Sequence, residues 1–198
     1  MKNYKLIGLT GTTGAGKGEV RAVFSDNGYG VVDADILARA IMTDPVVLRI
    51  IQNFFGDDVV TNGSLNRKLL AARAFDTKES ADLLSKITHP FITPLLLKQI
   101  EEYSGSGVDK IVFDAPQLFE SGLNLICDAT VAVTAPYSIR LERIKARDGL
   151  DDNEAKQRIN VQFSDDFFRE NCDYVIENNS DIPTLKSETQ RIIDMIQR

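Results

Sequence analysis

One stretch constrains this chain more than any other: Leu6-Ile7-Gly8-Leu9-Thr10-Gly11-Thr12-Thr13-Gly14-Ala15-Gly16-Lys17-Gly18-Glu19-Val20. A strand-like run, Lys5 to Leu9, leads into G-x-x-x-x-G-K, and Glu19 to Phe24 has helical periodicity. Strand, glycine-rich turn and helix in that order aim main-chain N–H groups and a helix dipole at one spot, which makes an anion cradle. Four glycines spent on mere connection would only add to the entropy lost on folding. Phosphate binding is therefore the reading of Gly11, Thr13, Gly14, Ala15, Gly16, Lys17, Gly18 and Glu19.

One part of that cradle is missing. After Lys17 the usual Ser or Thr, whose hydroxyl would hold Mg²⁺, is replaced by Gly18. Mg²⁺ keeps several of its waters, so ATP phosphates, water and a carboxylate elsewhere can serve instead. Glu19 suits the first turn of a helix but would repel phosphates if it faced them, so it is expected to point away.

The rest of the chain alternates. Short apolar runs recur at Lys5 to Leu9, Gly30 to Val32, Lys110 to Phe113, Ala129 to Val133 and Tyr174 to Ile176, with helical spacing between them. This predicts an α/β fold of the P-loop type: three layers around a central parallel sheet of five strands. No Ser/Gly/Pro-rich linker divides residues 1–198, so one domain is expected. Between about 36 and 109 no strand stands out. Pro45 to Phe55 and Asn66 to Phe75 read as helices, and Lys78 to Tyr103 as two helices broken at His89-Pro90, because the residue before proline is biased away from the α region. This is a helical insertion of the kind that holds a second substrate in small-molecule kinases, by analogy of fold. A helix from Pro136 to Arg147 and another from Asp151 or Asp152 to about Arg169 form a lid over about 137–170, and Pro183 opens a last helix ending near Gln197.

Net charge is −6 and the isoelectric point about 4.9, which argues against a general nucleic-acid binder. Two cysteines, Cys127 and Cys172, and one histidine offer neither a disulfide framework nor a zinc site. Both cysteines read as small buried hydrophobes. Nowhere do 18 apolar residues follow one another and the N-terminus lacks a signal-peptide core, so a cytoplasmic protein without membrane contact is expected.

Carboxylates stand where open α/β sheets bind ligands, past strand ends. Val31-Val32-Asp33-Ala34-Asp35 supplies two, either of which could instead cap a helix, and "IVFDAP" places Asp114 as an acid that orients metal or its waters. If the acceptor is a hydroxyl, Asp33 is the candidate base. Arg140, Arg143 and Arg147 share one side of a helix by their i, i+3, i+7 spacing, so they form either a solvated face or an anion clamp.

Together these segments resemble the dephospho-CoA kinase family: "LTGTTGAGKGEV", "GYGVVDADILAR", "GSLNRKLLAARAF", "ITHPFI", "IVFDAPQLFESGL", "CDATVAV", "RLERIKARDGL" and "CDYVIENNS". The resemblance implies transfer of the ATP γ-phosphate, with Mg²⁺, to the ribose 3′-hydroxyl of dephospho-CoA. It implies that Asp33 is the base, that Lys17 contacts the β and γ phosphates, and that Arg143 and Arg147 belong to the lid. By the same resemblance His89, Pro116, Leu118 and Glu120 line or support the acceptor site, and Asn178 lies by the adenine; Asp35, past the same strand end as Asp33, is the further substrate-binding candidate. Gly18 and Glu19 stand where the family usually has two hydroxyl residues; Gln117 and Arg140 also depart from its pattern. The competing readings are a nucleoside or nucleoside-monophosphate kinase, which the G-A-G-K-G string alone permits, and a nucleotide-binding module that has lost catalysis.

Overall fold

The computed structural model describes residues 3–198. Five strands, β1 (Lys5–Gly11), β2 (Gly30–Asp33), β5 (Lys110–Asp114), β6 (Ala129–Thr134) and β7 (Tyr174–Glu177), make one sheet in the order β2-β5-β1-β6-β7. β1 pairs in parallel with β5, Ile7 opposite Val112, and with β6, Leu9 opposite Val131, and β6 pairs in parallel with β7. All five predicted runs are strands. The central strands are buried on both faces, which is why β6 reads Ala-Thr-Val-Ala-Val-Thr without polar alternation.

The chain divides into two compact units, one of residues 1–32 and 100–198, the other Asp33–Gln99. In the first, Ile7, Leu9, Val131 and Val133 of the sheet meet Val20, Val23 and Phe24 of helix α1 (Lys17–Asp26) and Leu185, Ile192, Ile193 and Ile196 of helix α9 (Ile182–Ile196) in one apolar core. Helices α6 (Tyr137–Asp148) and α7 (Asp152–Asn160) share a small core of Ile144, Ala155 and Ile159. The expected helix running on to about Arg169 is two: α7 ends at Asn160, and α8 (Asp165–Asn171) starts afresh on the Ser164 cap. Ser164 Oγ accepts the Phe167 N–H at 3.2 Å, a local bond that competes with continuing the helix.

The second unit is helical, with α2 (Ala34–Ile41), α3 (Pro45–Phe55), α4 (Arg67–Ala74) and most of α5 (Lys78–Gly105). Two expectations fail here. His89-Pro90 does not break the chain: α5 runs unbroken for 28 residues with Pro90 and Pro94 inside it. An interior proline costs a helix about 3 kcal/mol. Against this stand the buried Ile87, Ile92, Leu96 and Ile100, which need one continuous helix to keep their spacing. The segment also contains a hairpin, β3 (Val60–Thr61) and β4 (Ser64–Leu65), where no strand was expected. Its turn is Asn62-Gly63, both with positive φ (51° and 74°), the residue pair that two-residue hairpins favour.

Candidate active site

β1 ends at Gly11, and the turn that follows delivers the chain into α1 at Lys17. Gly14 (φ 78°) and Gly16 (φ 97°) adopt left-handed conformations. A Cβ on Gly16 would come 2.5 Å from Asn178 Nδ2, so only glycine fits there. Among the described residues the N–H groups of Gly14, Gly16, Lys17 and Gly18 have no acceptor, and no side chain caps α1. Four donors converging at a helix N-terminus suit a polyphosphate. Asn178, 5% exposed, donates from Nδ2 to Ala15 O at 2.7 Å and braces the turn from behind.

Lys17 is ion-paired with Asp114 Oδ1, and Arg21 Nη1 lies 3.1 Å from Asp114 Oδ2. Asp114 ends β5 at 3% exposure, so this carboxylate is desolvated and held between two cations. No group of three His, Cys, Asp or Glu side chains able to hold a metal is present among the described residues. The donor set therefore fits an ion that arrives with the nucleotide and keeps its waters, with Asp114 the carboxylate beside the turn. Gly18 offers no oxygen, but open space surrounds its Cβ position, and Glu19 is exposed.

The three arginines of α6 do not act as one face. Arg140 is buried, donating from Nε to Ala135 O at 2.9 Å, with Nη2 3.7 Å from Asp165. Arg143 Nη1 reaches Gly14 O at 3.3 Å, on the phosphate turn itself. Arg147 is exposed and forks onto Asp148 with two bonds of 2.8 Å, while Arg158 holds the same carboxylate at 2.7 Å. The Arg147 guanidinium, with help from Arg158, holds the Asp148 carboxyl below the usual carboxylate range.

Leu118 is fully buried and packs on Gly8 of β1, so it supports rather than lines; Pro116 is half-buried and Glu120 exposed. In the second unit, Asp33 is the helix cap, its Oδ1 accepting the N–H groups of Asp35 (2.9 Å) and Ile36 (3.2 Å). Asp35 is exposed in the first turn, and His89 is half-buried midway along α5. Cys127 and Cys172 are half-buried rather than buried, and burial pushes the Cys172 thiol up to about 11, which leaves it unreactive at neutral pH.

Sequence reasoning missed Arg21 and Gln162. Arg21 was open to detection, because i+4 from Lys17 puts it on the same side of α1. Gln162, whose Oε1 accepts the Thr13 N–H at 2.8 Å, stands 149 positions from its partner, and no spacing rule links them.

A family model described as dephospho-CoA kinase matches residues 5–184. A dephospho-CoA kinase of Corynebacterium diphtheriae is 40% identical over 88% of each chain, and that of Corynebacterium efficiens 34% identical over 94% of each. Among solved structures, TT1252 from Thermus thermophilus superposes with a TM-score of 0.79 at 29% identity over 98% of both chains. A dephospho-CoA kinase from Campylobacter jejuni gives a TM-score of 0.61 at 21% identity over 98% of this chain and 97% of that one, which speaks to the fold. With a nucleotide cradle of this geometry and matches that run nearly end to end, the chain belongs to the dephospho-CoA kinase family.

Proposed function

We propose that the chain transfers the γ-phosphate of ATP to the ribose 3′-hydroxyl of dephospho-CoA, with Asp33 as base. The observation that carries the nucleotide half is the set of four acceptor-free amides beside the Lys17–Asp114 pair. The acceptor half rests on family membership. The turn from Gly11 to Glu19 wraps the phosphates through its main chain, and Lys17 neutralises the β and γ groups. Mg²⁺, when bound with ATP, supplies further charge neutralisation on the phosphates; Asp114 is the residue to hold it, through water.

Asp33 takes the proton of the 3′-hydroxyl as that oxygen attacks in line. Its capping bonds hold the carboxylate in one orientation, as a base needs. Arg143 brings lid charge to the turn, and Arg147, four positions on, is the second lid cation. Asp35, His89, Pro116, Leu118 and Glu120 line or support the acceptor site. A cleft of about 360 Å³ lined by Val175, Glu177, Asn179, Ser180, Thr184 and Glu188 flanks Asn178 in sequence and is our candidate place for adenine. Among the described residues no helix is long and apolar enough to cross a membrane.

The deciding experiment incubates the purified chain with ATP, Mg²⁺ and dephospho-CoA, or in parallel AMP, CMP or a ribonucleoside. We expect 3′-phosphorylated product from dephospho-CoA alone at comparable concentrations. Preference for one of the others would reassign the acceptor, and no transfer at all would leave a binding module.

A further inference from the structure

Two lid residues rest on neighbouring residues of the phosphate turn, Arg143 on the Gly14 carbonyl and Gln162 on the Thr13 amide. The second contact has a direction built into it. The atom of Thr13 that faces Gln162 is an N–H donor, so the side chain must offer Oε1, and hydrogen-bond logic fixes which end of the carboxamide is which. Nε2 is thereby turned off the main chain of the turn, and its two N–H groups meet no acceptor among the described residues.

The residue is also held in place. Gln162 sits in the short connection between α7 and α8, its own N–H bonded to Ile159 O at 3.2 Å. Next to it, Phe163 stacks on Phe167 with ring centroids 3.9 Å apart and planes 12° off parallel. Phe119, in the segment after β5, meets the edge of Phe167 at 5.2 Å. An aromatic brace on one side and the Ser164 cap on the other leave Gln162 little freedom to wander.

Thr13 directly precedes Gly14, the first of the acceptor-free amides. The amides at the start of α1 hold the inner phosphates, which leaves the strand side of the turn to the outer end of the triphosphate. We propose that Gln162 is a phosphate-contacting residue whose Nε2 donates to an oxygen of the terminal phosphoryl group of ATP, so that the lid recognises the triphosphate in particular. This rests on the reading that the turn binds ATP and does not depend on which acceptor is used.

The test compares two nucleotides. The affinity of ADP and of the non-hydrolysable β,γ-imido analogue of ATP is measured by calorimetry, with Mg²⁺, for the wild-type chain, Gln162→Glu and Gln162→Met. Gln162→Glu keeps an acceptor for Thr13 N–H but removes both donors; Gln162→Met keeps length and removes all polarity. Hydrogen bonds to charged groups predict that the analogue binds about 10-fold or more weaker to both variants while ADP stays within about 3-fold. In turnover, kcat should fall by a similar factor with the acceptor KM little changed. Equal weakening of the two nucleotides in both variants would reduce Gln162 to a brace of the lid and overturn the proposal, as would unchanged affinity for both. Failure of the wild-type chain to phosphorylate dephospho-CoA would count against the proposed reaction and not against this contact, since the ADP-to-analogue ratio is read without any acceptor present.

Discussion

The two compact units hold their polar groups in opposite ways. Around the phosphate turn the bonds span the chain: Lys17 to Asp114, Asn178 to Ala15, Gln162 to Thr13, Arg143 to Gly14. In the unit from Asp33 to Gln99 local bonds recur: Asp33, Asp44 and Asn66 each cap the helix they precede, and Thr88 bonds back one turn to Leu84. Arg73 reaches further, to Asp58 and to Phe55 O, within the same helix–hairpin–helix segment. The difference teaches where preorganisation is needed. Charge developing on a phosphoryl group is stabilised by donors that are already fixed, and fixing them takes partners from several elements. A helical unit assembled from caps and apolar faces needs no such ties.

The sharpest way to break this contrast is Asp33→Asn, because Asp33 is the proposed chemical group that sits in the locally bonded unit. Asn caps a helix about as well as Asp, so the Asp35 and Ile36 bonds have a substitute and the melting temperature should hold. The proton acceptor is gone, and kcat should fall by about 10²-fold or more with ATP affinity nearly unchanged. If kcat survived, Asp33 would be reassigned to substrate positioning or capping. Asp33→Ala should lose stability as well, by about 1 kcal/mol, which separates the two roles in one residue.

Second in size is the contrast between Gly16 and Gly18, two positions apart in the turn. An alanine methyl at Gly16 would have to displace the buried Asn178 amide and adopt φ near 97°, so Gly16→Ala should weaken nucleotide binding by about 10-fold or more and lower the melting temperature. Retained affinity would mean that the turn is far more compliant than its long-range bonds imply.

Gly18→Ser should do almost nothing to stability, since no atom lies within 4 Å of the added Cβ. It restores the hydroxyl that such loops present to Mg²⁺, and the Mg²⁺ concentration for half-maximal rate should drop a few-fold. An unchanged metal response would show that Asp114 and water already suffice.

How much was legible in the sequence follows the same division. The turn, its flanking strand and helix, Asp114 and all five strands could be read because a glycine-rich strand-to-helix turn and doubly buried parallel strands leave strong local signatures. The bonds that make the turn rigid could not, since Ala15 with Asn178 and Thr13 with Gln162 are each joined only by folding. In the helical unit, Pro45 to Phe55 was readable to the residue because Asp44 and Pro45 mark its start. The Asn62-Gly63 hairpin had its signature too, but strands of two residues carry no periodicity to set beside it. α5 was misread because apolar burial overrode a local proline rule. The arginine spacing misled for a related reason: a shared helix side says nothing of whether its partner is solvent, ligand or, as for Arg140, the protein's own carbonyl.

The smallest expected effect tests that override directly. Pro90 is exposed, so Pro90→Ala removes no buried contact. Alanine restores an N–H able to bond to Lys86 O one turn earlier, recovering part of the roughly 3 kcal/mol that an interior proline costs. The freer unfolded chain gives back up to about 1 kcal/mol of that. The net should be a rise of a few degrees in melting temperature, with nucleotide affinity unchanged because the phosphate turn is fixed by its own long-range bonds. His89 precedes this proline, and if the backbone there serves acceptor binding, KM for dephospho-CoA should rise while kcat holds. A fall in melting temperature would mean that the proline fits the helix without strain, and the account of α5 as packing winning over local preference would have to be given up.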